Sequence, residues 1–476
     1  MPALPRALDR TQAATLLGIG TLTLLLALFV SHFTPGVALA VGLGVALFVV
    51  AFVHTEAALH IIILSMLLSP EILLSQPAAA GSLEASRGVA IRIEDVTLVI
   101  VGFSWLTRMA VYKQLGLIRQ TPLNGAILLY AVSCIVSTGL GILFGSVRPV
   151  TGLFFVLKYL EYFVVYFLVV NHLTEERQLK RFLFTVALTT ALVSIFALAQ
   201  IPAGGRVTAP FEGKEGEPNT LGGYLVFMLA ILLGLASESP GLYSRLGWLW
   251  LSGLAFLPLL YSLSRASWLA TLPMLLTLLL TLQRRGLLLG LLSAALLVGP
   301  LLAPEAVIQR IRYTYAQPAE RGQVEVGGVR LDTSTSARFE SWTEGLAGWS
   351  QAPIFGHGVT GFRFMDAQYV RVLVETGLTG FAVFVWLLTR LVQQARRSLT
   401  AALPGWRRGL AAGYLAGMVG VMVHGIGANT FIIVRIMEPF WFMTGVIVVL
   451  GSGWIGHGTT PPAAGSAARL VRVRWS

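Results

Sequence analysis

Three arginines in polar segments between apolar runs have the chemistry to bind a phosphorylated ligand. Arg206 lies in GGRVTAPFEGKEGEPNTLGG, Arg265 in SLSRASWLA, and Arg338 in ARFESWTEGLAGWS. A guanidinium is always charged and binds phosphate oxygens through paired hydrogen bonds. Three of them on one membrane face would therefore suit an anionic lipid headgroup, above all a diphosphate.

Each of these arginines has a simpler interpretation, in which it pairs with a nearby carboxylate. Glu212, Glu215 and Glu340 are the closest candidates in sequence. Arg265 differs because it stands between two apolar runs without an acidic neighbour in sequence, and a charge at such a depth is usually functional. The sequence therefore favours a functional part for Arg265 above all.

The stretch PIFGHGVTGFRFMDAQYVRVLVETGLTGF adds two carboxylates and a histidine. Asp366 lies at the outer mouth of a predicted helix and Glu375 in its first turns, where a carboxylate can act as a general base. The alternative for Asp366 is an N-cap at the positive end of that helix. His357 is expected to be a solvated loop residue, because no second His or Cys lies nearby to build a metal site.

One ion pair is predicted inside an apolar run. Lys158 and Glu161 in VLKYLEYF are three residues apart, so they share a helical face. A structural intramembrane pair is the simpler interpretation, and a part in the substrate path is the alternative.

The motifs that are missing narrow the chemistry. The sequence has no GxxxxGK[ST] phosphate loop and no DxD pair that could hold a metal-bound nucleotide sugar. The single cysteine, Cys134, excludes an intrachain disulfide and a Cys-based metal site. No metal and no cofactor are therefore predicted, and any activated donor must be supplied from elsewhere.

Membrane-spanning helices must position these residues. Of 476 residues, 55% are hydrophobic and only 12% are charged, whereas a soluble domain carries about twice that charged fraction. The sequence therefore predicts an all-α, polytopic transmembrane bundle of twelve to fourteen helices with one large extracytoplasmic loop. The candidate spans are roughly 13–32, 35–53, 57–74, 94–110, 124–144, 149–171, 182–201, 219–237, 246–263, 266–282, 286–302, 370–389, 409–428 and 436–455.

Basic residues set the predicted orientation. Short segments such as TEERQLKR and QRRG are dense in cations, which places them and both termini in the cytoplasm. The candidate chemistry then lies on the opposite face. The net charge of +12 forms no basic stripe interleaved with aromatics, so the lipid bilayer is the expected partner and nucleic acid is not.

Four segments are predicted along the chain. Residues 1–145 hold N-terminal transmembrane helices, and 146–302 form a transmembrane core with arginine-bearing outside loops. Residues 303–367 form the large outside loop, with helical patterns at 304–316 and 334–350, the second with an apolar face. Residues 368–476 hold the last transmembrane helices and a cytoplasmic tail.

Four short motifs occur in a fixed order: Arg206 with EPNTLGGYL, then SLSRASWLA, then Arg338 and Trp342 with PIFGHGVTGF, then DAQYVRVLVETGLTG. They resemble the Arg…PN, SRxxWL, R…W…P-x-x-G-x-G and H-N-x-Y-L…E-x-G-L-x-G segments of the O-antigen ligase and O-antigen polymerase superfamily of bacterial envelope glycosyltransferases. The resemblance covers about 150–390. It departs in one place, because Asp366 and Ala367 stand where the ligases carry His and then Asn.

The resemblance implies a metal-independent inverting glycosyl transfer on the periplasmic face of the bacterial inner membrane. The donor would be a glycan on undecaprenyl pyrophosphate, and the acceptor a second glycan or lipid A-core. Arg206, Arg265 and Arg338 are expected to bind the pyrophosphate, and Asp366 to replace the family His as the base. The residues expected in or beside the substrate site are Asn219, His357, Tyr369, Glu375 and Lys158.

Several functions remain open at this point. A polymerase joining two lipid-linked repeats is preferred over a ligase acting on lipid A-core, because of the altered His. A transporter or flippase of lipid-linked sugars is the alternative, and it would need ionisable groups through the bilayer midplane. A scaffold without chemistry would leave Arg265 unexplained.

Overall fold

The computed structural model describes residues 35–73, 90–111, 118–212, 216–317, 323, 325–326, 329–330, 332–363 and 365–455. These ranges contain fifteen α-helices: α1 (Pro35–Val53), α2 (Thr55–Leu68), α3 (Ile93–Val111), α4 (Asn124–Leu143), α5 (Pro149–His172), α6 (Glu176–Gln200), α7 (Pro218–Glu238), α8 (Leu242–Tyr261), α9 (Arg265–Thr281), α10 (Gly286–Leu302), α11 (Glu305–Ala316), α12 (Thr333–Gln351), α13 (Gln368–Ala401), α14 (Trp406–Gly427) and α15 (Val434–Ser452). Two short antiparallel pairs, Glu71–Leu73 with Ala90–Arg92 and Glu325–Val326 with Val329–Arg330, are the strands among the described residues.

This architecture confirms the predicted all-α polytopic membrane fold. Seven helices, α4 to α7 and α13 to α15, are long and apolar enough to cross a membrane. Four shorter apolar helices coincide with the predicted spans 35–53, 57–74, 266–282 and 286–302, and α3 and α8 coincide with 94–110 and 246–263. The predicted span 13–32 and both chain termini lie outside the described residues, so the cytoplasmic location of the termini stays a prediction.

Helix α7 forms the centre of the bundle, and its whole apolar window is buried. It packs most closely against α14 through small residues. A Cβ at Gly413 of α14 would stand only 2.7 Å from the carbonyl oxygen of Ala230 on α7. Between lipid-embedded helices, glycine at such a contact lets the backbones approach and gain van der Waals contact. The central pair fixes the N-terminal end of α7, where Asn219 lies.

The large loop contains two helices close to the predicted ranges: α11 over Glu305–Ala316 and α12 over Thr333–Gln351. Phe339 and Leu346 on α12 remain 40% and 50% exposed in the isolated chain. An apolar helical face left uncovered in this way suits a helix that lies along a membrane surface.

A kink in α13 shapes the end of the large loop. Gly377 has φ 66° and ψ −171°, and Gly356 has φ 72°, conformations that L side chains rarely adopt. The loop 353–358 crosses the kink, where Leu378 N donates to Pro353 O (2.9 Å) and Gly358 N to Glu375 O (2.8 Å). These contacts explain why the P-x-x-G-x-G and E-x-G patterns occur together. The loop with Gly356 and the kink with Gly377 approach so closely that a side chain at either position would meet the backbone of the other.

Candidate active site

A tight turn between α8 and α9 gathers arginines from three parts of the chain. Leu263 in this turn has φ 49°, and the Ser264 hydroxyl caps α9 by accepting the Ser267 amide (3.3 Å). Two carbonyls of the turn accept hydrogen bonds from arginines. Arg206 donates Nε to Ser262 O (3.0 Å), and Arg310 donates Nε to Leu263 O (3.3 Å). The turn that carries Arg265 therefore also anchors the two arginines from neighbouring segments.

Arg265 forms a bidentate pair with Asp332. Its two terminal nitrogens each lie 2.6 Å from one oxygen of Asp332, whose side chain is almost fully buried. The Asp332 carboxylate also accepts the amide and the hydroxyl of Thr335, so it caps α12. Arg265 has no acidic neighbour in sequence, and its acidic partner in the structure is 67 residues away along the chain.

The fourth arginine of the site, Arg338, comes from α12 and donates Nε to Gly427 O at the end of α14 (3.0 Å). We call Arg206, Arg265, Arg310 and Arg338 the arginine cluster. Neither Arg206 nor Arg338 is in an ion pair with a carboxylate of the described chain. The structure thus brings together the three arginines that the sequence singles out and adds Arg310, which it did not.

The pKa values of the cluster report its concentrated charge. Burial, together with the positive charges of Arg310, Arg265 and Arg338, lowers the pKa of Arg206 to about 10, against a raising effect of Glu217. Burial also lowers the pKa of Arg310, and Arg265 and Arg338 again contribute. Like charges held this close favour a bound anion, and a diphosphate carries the charge and oxygen atoms to satisfy several guanidiniums at once.

A buried arginine outside the cluster holds the loop that carries Arg206. Arg435, at the start of α15, donates to the carbonyl of Pro210 and to those of Ser69 (3.2 Å) and Phe211 (3.4 Å). Its Nη1 lies 3.8 Å from a carboxylate oxygen of Glu212. Glu212 therefore serves this anchor, and the interpretation that it neutralises Arg206 is wrong.

Two carboxylates border the arginine cluster. Burial raises the pKa of Asp366, while Arg338, the Asn429 main-chain amide and Arg371 lower it. Burial also raises the pKa of Glu217, and the negative charge of Asp366 adds to this. Asp366 does not cap α13, because Ala367 is at the N-cap position. A partly desolvated carboxylate beside cations has the properties of a general base.

Asn219 joins these groups to the arginine turn. Its Oδ1 accepts the Ser264 hydroxyl (2.7 Å), and its Nδ2 lies 3.4 Å from a carboxylate oxygen of Glu217. Asn219, which the sequence predicts to lie at the site, thus contacts both the arginine turn and Glu217. Glu217 is one more residue that sequence reasoning missed, although it directly precedes the PN pair of the family-like segment.

Tyr369 and Glu375 on α13 have structural partners instead. The Tyr369 hydroxyl donates to Met422 O (2.7 Å). Glu375 is buried and pairs with Arg371 at 3.1 Å, and it also accepts the Thr360 amide. These contacts brace α13 against α14 and against the loop at the kink.

His357 lies in a loop, as expected, but its side chain is half-buried and hydrogen-bonded. Its Nε2 donates to Gly348 O (2.9 Å), its amide donates to Val374 O (3.0 Å), and its carbonyl accepts the Ser146 hydroxyl (2.8 Å). These bonds fasten the FGHG turn between α12, α13 and the loop after α4. Among the described residues, no hydrogen bond or ion pair connects His357 with the arginine cluster.

Lys158 lies in another part of the bundle. The predicted pair with Glu161 is present at 3.5 Å, and Lys158 also pairs with Asp95 of α3. These three residues line a cavity of about 700 Å³ between α3 and α5, whose other walls are mainly apolar. In the described residues, no contact joins this cavity to the arginine cluster.

Among the described residues, no group of three His, Cys, Asp or Glu side chains has the arrangement of a metal site.

Replacing Asp332 by alanine is expected to destabilise the loop helix α12 as well as the site. Removing one partner of a buried ion pair leaves the other charge uncompensated and costs about 3 kcal/mol. The double variant Asp332→Ala/Arg265→Ala should then lose less stability than the sum of the losses in the two single variants. Thermal unfolding in detergent measures both, and additive losses would show that the pair contributes nothing as a unit.

The hydrogen bonds from Arg265 and Thr335 give this stability a pH dependence. Burial alone would raise the pKa of Asp332, but those bonds outweigh it and lower the pKa to about 2. Because the folded-state pKa is below the unfolded one, the contribution is present at neutral pH and is lost as the pH falls from the ordinary range of aspartate through about 2.

Comparison with known proteins supports the resemblance seen in the sequence. The family model described as O-antigen ligase matches residues 250–385, from within α8 to within α13. The matched part contains Arg265, Arg310, Arg338 and Asp366, but Arg206 precedes it. This match confirms the predicted relation to the O-antigen ligase and polymerase superfamily. No curated protein is matched by the chain.

Proposed function

We propose, on the premise that residues 250–385 form an O-antigen ligase domain, that the chain transfers a glycan from undecaprenyl pyrophosphate to a sugar hydroxyl. The observation that supports this most directly is the convergence of the arginine cluster with Glu217 and Asp366. The cluster fits a diphosphate, and a carboxylate beside it fits an acceptor hydroxyl.

In this reaction the bond between the anomeric carbon and the pyrophosphate oxygen breaks as the acceptor oxygen attacks from the opposite side. Negative charge grows on the departing diphosphate, and preorganised guanidiniums stabilise that charge without reorganisation. Arg206 and Arg338 contact the phosphates directly in this proposal, because neither is in an ion pair with a described carboxylate. Arg265 contributes charge while Asp332 fixes its orientation.

Asp366 is proposed as the general base. The acceptor hydroxyl loses its proton as the new glycosidic bond forms, and the Asp366 carboxylate takes that proton. Burial raises the proton affinity of Asp366 above that of an ordinary aspartate, which suits a base at neutral pH. An aspartate at this place would perform the part of the His found in related ligases.

The acceptor divides the proposal into two reactions. A polymerase would elongate a second lipid-linked glycan, and we prefer it because Asp366 replaces the ligase His. A ligase would transfer the glycan to lipid A-core. A transporter of lipid-linked sugars is the second candidate function, and the Lys158, Asp95 and Glu161 group in the membrane-embedded part is the observation that favours it.

The test uses purified protein in lipid nanodiscs with an undecaprenyl-pyrophosphate glycan and EDTA. We expect elongated lipid-linked product, or transfer to lipid A-core if that acceptor alone reacts. Arg310→Ala should slow the transfer about tenfold through loss of a charge-assisted hydrogen bond. Arg312→Ala, two residues along the same helix and exposed, is the matched control and should leave the rate unchanged.

Each outcome separates the candidates. A folded wild-type protein that gives neither product from several glycan donors, but moves lipid-linked sugar across a vesicle bilayer, would overturn the transferase in favour of the transporter. Equal rates in the Arg310 and Arg312 variants would remove Arg310 from the site.

A further inference from the structure

A buried chain of polar side chains runs from α14 to the arginine turn. His424 lies 3.1 Å from the Ser267 hydroxyl through Nε2 and 2.7 Å from the Thr430 hydroxyl through Nδ1. The Ser267 hydroxyl donates to Ser264 Oγ (2.8 Å), and the Ser264 hydroxyl donates to Asn219 Oδ1 (2.7 Å). Thr430, His424 and Ser267 are fully buried, and Ser264 is 1% exposed.

The hydrogen bonds of this chain point in one direction. The single hydrogen of Ser267 is used toward Ser264, so His424 must donate Nε2–H to Ser267. A neutral imidazole with its hydrogen on Nε2 accepts at Nδ1, where the Thr430 hydroxyl lies. Asn219 accepts through Oδ1 and therefore presents its NH₂ group to Glu217, 3.4 Å away. The end of the chain is thus a carboxylate of the candidate site.

Two glycines of α7 leave the room that this chain of polar side chains requires. A Cβ at Gly222 would overlap the Ser267 side chain, at 2.8 Å from its Cβ, and one at Gly223 would stand 3.0 Å from His424 Cε1. Without side chains at these positions, α7 approaches α9 and α14 closely. Asn219 lies one helical turn before them on α7, so the same approach brings its amide to Ser264.

We infer that this chain is a positioning device for the proposed transfer, in which His424 and Ser267 act through Ser264 and Asn219 to hold the Glu217 carboxylate beside Arg206 and Asp366. Glu217 accepts hydrogen bonds from the acceptor sugar in this arrangement, while the arginine cluster binds the donor. The inference rests on the proposed function, since it assigns positioning residues to that reaction. A fully satisfied buried network fixes one side-chain geometry, and a missing member leaves the others free to rotate.

The test compares Ser267→Ala, which removes one oxygen from the middle of the chain, with Ser252→Ala. Ser252 is also buried on a neighbouring helix, but its hydroxyl bonds only to the carbonyl of Trp248 among the described residues. We expect Ser267→Ala to lower kcat about tenfold through the lost hydrogen bond. Affinity for the undecaprenyl-pyrophosphate glycan, measured by binding without acceptor, should be unchanged, and Ser252→Ala should match the wild type in both.

A second pair of variants distinguishes positioning from folding. His424→Gln keeps an N–H donor for Ser267, whereas His424→Leu removes it, so Gln should restore most of the kcat that Leu loses. The double variant His424→Leu/Ser267→Ala should be no slower than His424→Leu alone, because both break one chain. Thermal unfolding in the same detergent identifies any variant that has lost its fold.

The outcomes that overturn the inference differ from failure of the proposed function. One such outcome is a wild type that transfers glycan while Ser267→Ala keeps full kcat. Another is that Gln is no better than Leu at position 424. In either case the chain of polar side chains has only a structural role. Weaker donor binding in a folded Ser267→Ala would also overturn it, since the chain would then serve the arginine cluster. A wild type without transfer activity would instead overturn the function itself.

Discussion

Arg206→Ala is expected to lower kcat/KM for the lipid-linked donor about 10³-fold, the largest effect of any single arginine change in the site. Arg206 stands among three other arginines, and its Nε bond to Ser262 O leaves its terminal nitrogens without an ion pair to any described carboxylate. Its charge is partly desolvated, so a diphosphate gains more from it than from a fully solvated arginine.

The paired hydrogen bonds of the guanidinium can be tested separately from its charge. Arg206→Lys keeps the charge but loses the paired hydrogen bonds, so it should recover only part of the rate. Arg245→Ala is a control, because Arg245 bonds to Ser239 O near the opposite end of α7. Rates are measured with the lipid-pyrophosphate glycan and, in parallel, the Kd of the donor is determined. Full activity in Arg206→Ala would remove the main support for pyrophosphate binding at the cluster.

The sequence predicts the helices well because a lipid bilayer requires each spanning helix to be apolar and of a minimum length. A span must be about 20 apolar residues long, and such runs can be found by inspection. Helix α7 was predicted over 219–237 and is found over Pro218–Glu238. The helical patterns at 304–316 and 334–350 also predict the two helices of the large loop, α11 and α12.

The pairing of side chains across the bundle could not be predicted in the same way. Arg265 and Asp332 are 67 residues apart, and Ser267 and His424 are 157 residues apart. Helical periodicity places a residue on a face, but the neighbour of that face depends on how the helices pack. The sequence therefore does not show that Asp332 is the partner of Arg265, or that His424 contacts Ser267.

Two further signals in the sequence point to residues of the site. Asp332 precedes Thr335 by three residues at the start of a helix, a spacing at which an N-cap carboxylate accepts the N3 amide. Arg310 and Arg338 lie in the two helices of the large loop. Their presence in one loop is a signal that they can act together, since a diphosphate has enough oxygens for several arginines.

Asp366→Asn is expected to lower kcat about 10²-fold or more, because an amide cannot accept the proton of the acceptor hydroxyl. In the wild type the rate should fall as the pH falls through the pKa of Asp366, since only the ionised carboxylate acts as a base. Burial raises that pKa, against the lowering effects of Arg338, Asn429 and Arg371, so the fall should occur above the ordinary aspartate range.

Asp366→His is the decisive companion variant, because it introduces the residue that related ligases carry at this place. If Asp366 is the base, the histidine variant should retain more activity than Asp366→Asn, and its acid limb should move toward the ordinary imidazole range, about pH 6.5. Glu217 also titrates nearby, and removing the charge of Asp366 lowers its pKa, so any limb that it contributes should move to lower pH in Asp366→Asn. A pH–rate profile that is the same in all three proteins would show that the proton goes elsewhere. A profile that follows the residue at position 366 would establish that an aspartate has taken over the catalytic part of a histidine, because the limb can move with the substitution only if that side chain carries the titrating proton.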